Sequence, residues 1–473
     1  MSRHAWALRT GKNPPPIANT VASLFFPQSK SLGLDLGSYS PGLLQKIVYA
    51  GSNACSFSQG SQHLLVLAEV CVSTKQVERL TEQIGQERQA QREAATQAWL
   101  DRPLMQREDS PPDASVVDLG VVEFDGGRLQ IRTWDGQAEA ATVSAVAGQE
   151  QPNCPTPQQA ASSADSSAAD SPATGPNRSK HWREDKVGCL LAMTSTVSDV
   201  DPCPEVPGVF VDPLAALKLA QEVGHSGVAP GTPFHEAQPQ GAAAEEACPQ
   251  RPGRPEIEKK RVLASRKDIH AFGPLLAAAA VAMGLFGAAR RAFVADGSGE
   301  NWSVYKRYFP RWTAVLDFIH ALTYVYKGAL AGRTFQEGWP VYERWIGWVW
   351  SGQVERVIRE LTLRQQEVGQ PSKEGSVPQV VQEVLTYLSN HKDKMRYDAY
   401  RKAGLPLMSS HVESTIKQMN YRVKGTEKFW SEAGAEAILQ LRADYLSDDD
   451  PMGQFWQHRQ ETATGQRRYR RSA

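Results

Sequence analysis

A change of pattern near residue 257 restricts the fold more than any other feature of this chain. Before it, residues 116–124, 128–134 and 187–193 read as strand-like runs rich in Val, Leu and Phe. Asp125-Gly126-Gly127, between the first two runs, carries a hairpin-turn signal. After it, helix and strand alternate. A helix is predicted over residues 257–289, then the strand Arg291-Ala292-Phe293-Val294-Ala295 and the turn Asp296-Gly297-Ser298-Gly299. A short helix around residues 302–308, the strand Thr313-Ala314-Val315-Leu316 and a helix beginning near Phe318 follow. Right-handed crossovers make the later strands parallel to the first, and the fourth strand is expected beside it.

Three meander strands followed by helix–strand alternation is the element order of a ribonuclease-H-like α/β domain. The expected architecture is therefore a ribonuclease-H-like mixed sheet with an all-α N-terminal domain and an α-helical insertion. The expected divisions are a helical unit over 22–103, the first part of the core over 114–136 and 186–320, and a Trp- and Tyr-rich helical insertion over 321–400. A late helix and its C-terminal companions occupy 401–447, and a basic tail occupies 448–473. Two stretches, 137–181 and 224–255, are low in complexity and rich in Ala, Pro, Gly, Ser and Gln. Neither carries enough apolar surface to offset the entropy of ordering it. Seven aromatics of the insertion, Tyr324, Tyr326, Trp339, Tyr342, Trp345, Trp348 and Trp350, are read as core rather than as base-stacking platforms.

Within 22–103, Pro41 after Ser40 suits the first position of a helix, and a second helix is expected over about residues 58–67. A short turn leads to Ser73, an N-cap for a third helix with Val77, Leu80 and Ile84 at helical spacing, continuing through Arg88 and Arg92 to Trp99. This helix–turn–helix pattern is a DNA-binding candidate, with Thr74, Lys75, Gln76 and Arg79 at the start of the recognition helix. An ordinary helical bundle is the alternative.

Overall charge points to no partner, since Lys plus Arg and Asp plus Glu number 52 each. Local charge is more telling: Lys417, Arg422, Lys424 and Lys428 cluster beside Phe429 and Trp430, and Gln466-Arg467-Arg468-Tyr469-Arg470-Arg471 is basic. The six cysteines form no CxxC pair, which argues against a zinc ribbon or disulfide framework and suits a reduced, cytoplasmic compartment. The apolar run 275–289 is short for a membrane span and reads as a buried helix, so no membrane partner is expected. Ser447-Asp448-Asp449-Asp450 lacks calcium-loop spacing and reads as a solvated helix stop.

Three acids stand out by placement. Asp125 ends the first predicted strand, Asp296 ends the fourth, and Glu413 lies on a helix that Ser409 or Ser410 can cap. If strands one and four are neighbours, the two aspartates face each other, and a helix packed on the sheet brings Glu413 in. Two-metal phosphodiester chemistry needs such a set, because two hard cations about 4 Å apart must be held by oxygen ligands. Mg2+ or Mn2+, two ions, is the expected cofactor. Asp317 and His320, after the fifth strand, are a rival pair. They read as auxiliary to the three acids, as DNA contacts or as a buried hydrogen-bonded couple. Lys417, one turn after Glu413, could hold a phosphate or pair with Glu413.

These residues sit in motifs that resemble transposases of the ISKra-type bacterial insertion sequences, relatives of the mutator-like group. The motifs are Leu32-Gly33-Leu34-Asp35 with Tyr39-Ser40-Pro41, Gln76-Val77-Glu78-Arg79 and Phe124-Asp125-Gly126-Gly127-Arg128. In the C-terminal half they are Leu316-Asp317-Phe318-Ile319-His320-Ala321-Leu322, Gly338-Trp339-Pro340, Val412-Glu413-Ser414 and the run from Arg422 to Trp430, with the basic close at residues 464–471. The resemblance implies DDE chemistry on terminal inverted repeats and target DNA, with Asp125, Asp296 and Glu413 as the acids. It also implies that Asp317 and His320 match a Cys- or Asp-x-x-His motif of the mutator-like groups. Synapsis of two ends makes a homodimer or larger assembly on DNA, in the bacterial nucleoid, the expectation. The alternative function is a catalytically inactive or domesticated transposase-derived DNA-binding protein. A helical scaffold whose acids are merely turns is a third reading.

Overall fold

The computed structural model describes residues 24–25, 39–112, 114–131, 182–222, 254–371, 373–425, 428–462 and 466–467. The expectations for 137–181, for 224–255 up to residue 253 and for the basic end after Arg467 lie outside the described residues.

Three N-terminal helices form, the first and third where their caps predict. α1 (Pro41–Asn53) opens with Pro41 in its first turn and with the Ser40 hydroxyl accepting from the Leu43 amide. α2 spans Phe57–Ala68, and α3 (Thr74–Leu100) starts at Ser73, whose hydroxyl accepts from the Gln76 amide. Leu44, Ile47, Val48, Leu64, Val77, Leu80 and Ile84 fill the space between them. The same core takes Leu441, Met452, Phe455 and Trp456 from the C-terminal end of the chain. The N-terminal helices thus share a core with α13 (Glu432–Tyr445) and α14 (Pro451–Glu461). The second half of α3 lies along α13. Arg92 bonds Glu436 at 2.8 Å and the Ala264 carbonyl at 3.1 Å.

Gly85 marks the closest approach of these two helices, since a Cβ there would lie 2.6 Å from the Ala437 carbonyl oxygen and from its Cβ. Alanine favours a helix over glycine by about 1 kcal/mol, but overpacking against backbone costs about 1–3 kcal/mol. Gly85→Ala is therefore expected to lower stability by about 1 kcal/mol or more in urea unfolding. A stabilised variant would show that the helices part at no cost.

The central sheet is mixed, with five strands in the order β3-β2-β1-β4-β5. β1 (Leu119–Gln130) pairs antiparallel with β2 (Trp182–Thr194), which pairs antiparallel with β3 (Glu256–Ser265). β4 (Arg290–Ala295) runs parallel to β1, and β5 (Thr313–Leu316) runs parallel to β4. The fourth strand does lie beside the first.

Two expectations fail here. Asp125-Gly126-Gly127 is not a hairpin turn: the chain runs straight through it, with Asp125 opposite Val187 and Gly127 opposite Asp185. A Cβ at Gly126 would meet only the end of the exposed Glu184 side chain, at 2.8 Å, and one at Gly127 the Asp185 carboxylate at 2.9 Å. The helix expected over 257–289 is also divided. Residues Glu256–Ser265 form edge strand β3, and helix α5 covers only Ile269–Ala282. The charged run Glu258-Lys259-Lys260-Arg261 suits an exposed edge, where charge discourages pairing with another chain.

That edge is also covered. The Lys260 amide donates to Asp448 at 2.9 Å, the Val262 amide to the Ser447 hydroxyl at 2.9 Å, and the Asp448 amide to the Lys260 carbonyl at 2.8 Å. Asp449 pairs with Arg261, and Asp450 caps α14 through the Gly453 amide. The acidic run follows the end of α13 with Asp448 and Asp450 exposed, as a solvated stop would, but it also clasps the sheet edge, and the expected tail begins with a helix.

Helices pack both faces of the sheet. α5 sets Phe272 against Phe124, with ring centroids 5.3 Å apart. On the opposite face lies α12 (Ser410–Val423), whose Thr415 hydroxyl meets the buried Cys189 thiol at 3.3 Å. α4 (Pro213–Glu222) and α6 (Gly299–Tyr308) are shorter, α6 following β4.

After β5 comes the helical block: α7 (Phe318–Leu330), α8 (Phe335–Trp350), α9 (Val354–Val368), α10 (Val377–His391) and α11 (Tyr397–Lys402). Tyr326, Tyr342, Trp345 and Trp350 are its buried centre, while Tyr324, Trp339 and Trp348 are partly buried against it. α11 returns to the sheet, where Tyr397 and Tyr400 donate to the Leu316 and Ala314 carbonyls at 2.9 Å each. Among the described residues, no helix is long and apolar enough to cross a membrane.

Candidate functional site

Strand register sets three aspartates in a row. Glu123 of β1 lies level with Val294 of β4, so two residues on, Asp125 comes level with Asp296. Ala295 of β4 lies level with Leu316 of β5, so one residue on, Asp296 comes level with Asp317. The Asp317 amide extends the ladder by donating to the Ala295 carbonyl at 2.8 Å. The acids thus gather at the C-terminal ends of β4 and β5, beside the middle of the longer β1.

Each aspartate is held differently. Among the described residues, Asp125 accepts only the amide of Gly126, at 2.7 Å. Burial raises its carboxyl to about 6, and the charges of Asp296 and Asp317 add to this. Asp296 Oδ1 accepts from the Ser298 amide at 2.9 Å and the Asn301 side chain at 2.7 Å, which fixes the loop into α6. Asp317 is fully buried and caps α7. One oxygen accepts from the His320 amide at 2.9 Å and meets the His320 ring at 3.2 Å. The other accepts from the Ser409 amide at 2.6 Å and its hydroxyl at 2.8 Å. Burial pushes the Asp317 carboxyl up, but the His320 ring and the Ser409 amide together hold it below the usual range.

Glu413 enters from the first turn of α12. Among the described residues its carboxylate accepts no hydrogen bond. Burial raises it to about 7, with Asp317 and Asp125 pushing the same way and His320 and Lys417 opposing them. His320 lies among these acids. Burial lowers its basicity, but the bond to Asp317 and the charges of Asp317, Asp296 and Glu413 raise it to about 9. Asp125, Asp296, Asp317, His320 and Glu413 thus form one electrostatic cluster.

Two ligand sets can be drawn from it. Asp317, His320 and Glu413 each offer an atom within 4.8 Å of the others. A carboxylate has about four acceptor positions, and those of Asp317 already face four donors. Among the described residues Asp125 and Glu413 keep open oxygens and Asp296 keeps its Oδ2, whereas Asp317 orients His320 and ties Ser409 to the sheet. Ser409 does not cap α12 with its side chain, which is spent on Asp317.

That cap comes from Glu123, a residue the sequence reading passed over. Glu123 is fully buried on β1, its carboxylate meeting the His411 ring at 2.7 Å and accepting from the Val412 amide at 2.9 Å. It anchors the N-terminus of α12 to the sheet and so sets where Glu413 stands. A signal existed: a charged residue within Val121-Val122-Glu123-Phe124, two positions before Asp125 and therefore on the same face.

The DNA-contact candidates divide. Thr74, Lys75 and Arg79 are exposed and Gln76 is half-buried at the start of α3, with Lys75 paired to Glu78 at 3.1 Å. Lys417 and Lys424 are exposed, the latter with its ammonium 5.7 Å from the Trp182 ring. Lys428 is turned inward and donates to the Tyr421 and Arg422 carbonyls at 3.0 and 3.2 Å, closing the end of α12. Arg422 must be withdrawn from the list. It is 1 % exposed, donates twice to the Gly51 carbonyl and lies between the Phe57 and Trp430 rings. It joins α12 to α1, since a guanidinium with apolar rings around it can bury where a lysine cannot.

No family model matches the chain, and no curated protein matches it at a significant level.

Proposed function

We propose that this chain is a DDE transposase with a ribonuclease-H-like core, cleaving and joining phosphodiester bonds at insertion-sequence ends. One observation carries the reading: Asp125 comes level with Asp296 on neighbouring strands, and the charge of Asp125 acts on Glu413, which also offers an oxygen within 4.8 Å of Asp317 and His320. The strand order β3-β2-β1-β4-β5, with acids level on β1 and after β4, supports the ribonuclease-H-like core. The motifs around Asp125, Asp317, His320 and Glu413 support insertion-sequence DNA as the substrate.

The donor set is all oxygen, which suits Mg2+ or Mn2+. Asp125 and Glu413, which burial and the neighbouring acids keep protonated up to about 6 and about 7, belong to a site that a cation relieves. Asp125, Asp296 and Glu413 would hold two ions, which when bound favour charge on the attacking and leaving oxygens. Asn301 keeps Asp296 in one orientation, and Glu123 keeps the α12 end that carries Glu413 in place. His320, oriented by Asp317 and charged at neutral pH, and Lys417 supply positive charge to the phosphate. Thr74, Lys75, Gln76, Arg79 and Lys424 offer contacts to duplex DNA. Action on two ends at once calls for at least two copies on DNA.

The test is strand transfer with DNA bearing the inverted repeats that bracket the reading frame. Mg2+ should give joined product, and a chelator should remove it. Retarded DNA without product in any divalent metal would instead support the non-catalytic DNA-binding protein.

The crowding also predicts a pH response. Both carboxyls are raised above their unfolded values, so their contribution to stability is complete below about pH 4 and is lost as pH rises through about 6 and about 7. In chelator, the melting temperature should therefore fall as pH rises through that window. Mn2+ should restore it, by more at about pH 8 than at about pH 5.5, because it binds the deprotonated acids. An Mn2+ effect independent of pH would contradict this.

A further inference from the structure

Asp296 moves with its loop. Its Oδ1 accepts from the Ser298 amide and from the Asn301 side chain, so carboxylate and loop form one unit as far as the start of α6. Helix α10 holds that unit from outside. A Cβ at Gly297 would lie 2.1 Å from the Tyr387 ring, far inside ordinary contact, so the ring rests directly on the loop backbone. One turn further along α10, His391 hydrogen-bonds the Gly297 backbone, and its ring centroid lies 6.0 Å from that of Trp302 in α6.

Neither side chain is free to yield. The Tyr387 ring is closed on Tyr324 of α7, with centroids 3.5 Å apart and planes 6° from parallel, and it meets the His391 ring edge-on at 4.8 Å. Lys327 of α7 pairs with Glu383 of α10 at 2.8 Å, which ties the two helices together again. α7 in turn is capped by Asp317, a member of the acidic cluster. His391 also brings no charge to the loop at neutral pH. Burial and the Lys394 ammonium lower its basicity to about 4, although the bond to Gly297 opposes them. It therefore holds the loop without repelling a cation.

We propose that Tyr387 and His391 are positioning residues for Asp296: through Gly297 they set where its carboxylate stands relative to Asp125 and Glu413. The inference rests on the metal-binding part of the reading above. A functional cluster must be held within about 0.5 Å of its working geometry. A methyl group at Gly297 would drive loop and ring apart by more than about 1 Å, and the ring has Tyr324 behind it, so the loop is what moves. Side chains that orient metal ligands from outside are worth about 10–100-fold in metal affinity. The helical block after β5 thus takes part in building the site through α10.

The test is Mn2+ titration of the full chain, with the free ion followed by electron paramagnetic resonance well below the melting temperature of each variant. Gly297→Ala should weaken the tight site about tenfold or more. Tyr387→Phe, which keeps the ring, should bind as the unaltered chain does, and Tyr387→Leu, which removes it, should bind more weakly. Cleavage by Gly297→Ala at saturating DNA should fall and then recover as Mn2+ is raised, which a general loss of structure would not allow. Should Gly297→Ala not fold, Tyr387→Leu and His391→Leu decide the matter by the same titration. Folded Gly297→Ala or Tyr387→Leu that binds Mn2+ as tightly as the unaltered chain overturns the inference. If the unaltered chain binds Mn2+ no more tightly than Asp296→Asn does, the metal reading itself fails, and the two failures are told apart.

Discussion

Asp125→Asn, Asp296→Asn and Glu413→Gln should each lower strand cleavage and transfer more than about 100-fold while DNA retardation persists. Disturbing the outer partners of a bound metal already costs about 10–100-fold, and these residues are proposed as the ligands themselves. Asparagine and glutamine keep the shape but lose the charge that balances the cations. The substitutions are expected to be mild for folding. Asp125 and Glu413 are strained as anions in chelator, so neutralising either should leave the metal-free protein as stable or more stable near neutral pH. Loss of activity with gain of stability is the signature of a functional cluster, and it separates the account from a structural one. Full activity in any of the three would remove that residue from the site.

Asp317→Ala should behave in the opposite way, lowering stability by about 3–5 kcal/mol, the usual cost of breaking a buried ion pair from one side. Asp317 is fully buried and accepts the Ser409 amide and hydroxyl and the His320 amide, with the His320 ring beside it. Its removal leaves the Ser409 and His320 donors unpaired where β5, α7 and the start of α12 meet. His320 should then titrate well below its present value of about 9, because Asp317 is the main group holding it up. Denaturant unfolding and the NMR titration of the His320 ring read the two effects. A loss below about 1 kcal/mol with an unchanged His320 would mean that the carboxylate is not the hub described.

Much of the fold was legible because local chemistry and tertiary structure agree. Ser40 and Ser73 cap helices that also have apolar stripes, and β4 and β5 are short apolar runs ended by an aspartate. The failures occur where a local signal competes with a distant partner. Asp125-Gly126-Gly127 has turn chemistry, but β2 pairs with it along its whole length, so the chain cannot reverse. β3 has edge-strand charge and no clean alternation, so it merged with the apolar helix that follows. The acidic run at 448–450 reads as solvated until the β3 edge it bonds is known.

The site divides similarly. Asp125, Asp296 and Glu413 could be picked because each sits at an element end or beside glycine, and strand order sets the first two level with each other. Glu123 was hidden because its partners, His411 and Val412, lie nearly three hundred residues away. Arg422 looked like a surface cation because charge is visible in a sequence and the Gly51 carbonyl and two aromatic rings that bury it are not. Helix packing, rather than composition, decides which basic residues stay exposed.

Crystals soaked in Mn2+, with anomalous difference maps, would test the proposed shared grip of the three carboxylates on cations without any assumption about DNA. Anomalous density touching Asp125, Asp296 and Glu413 is the predicted result. Peaks confined to Asp317 and His320, or no peak near the three acids at saturating Mn2+, would contradict it.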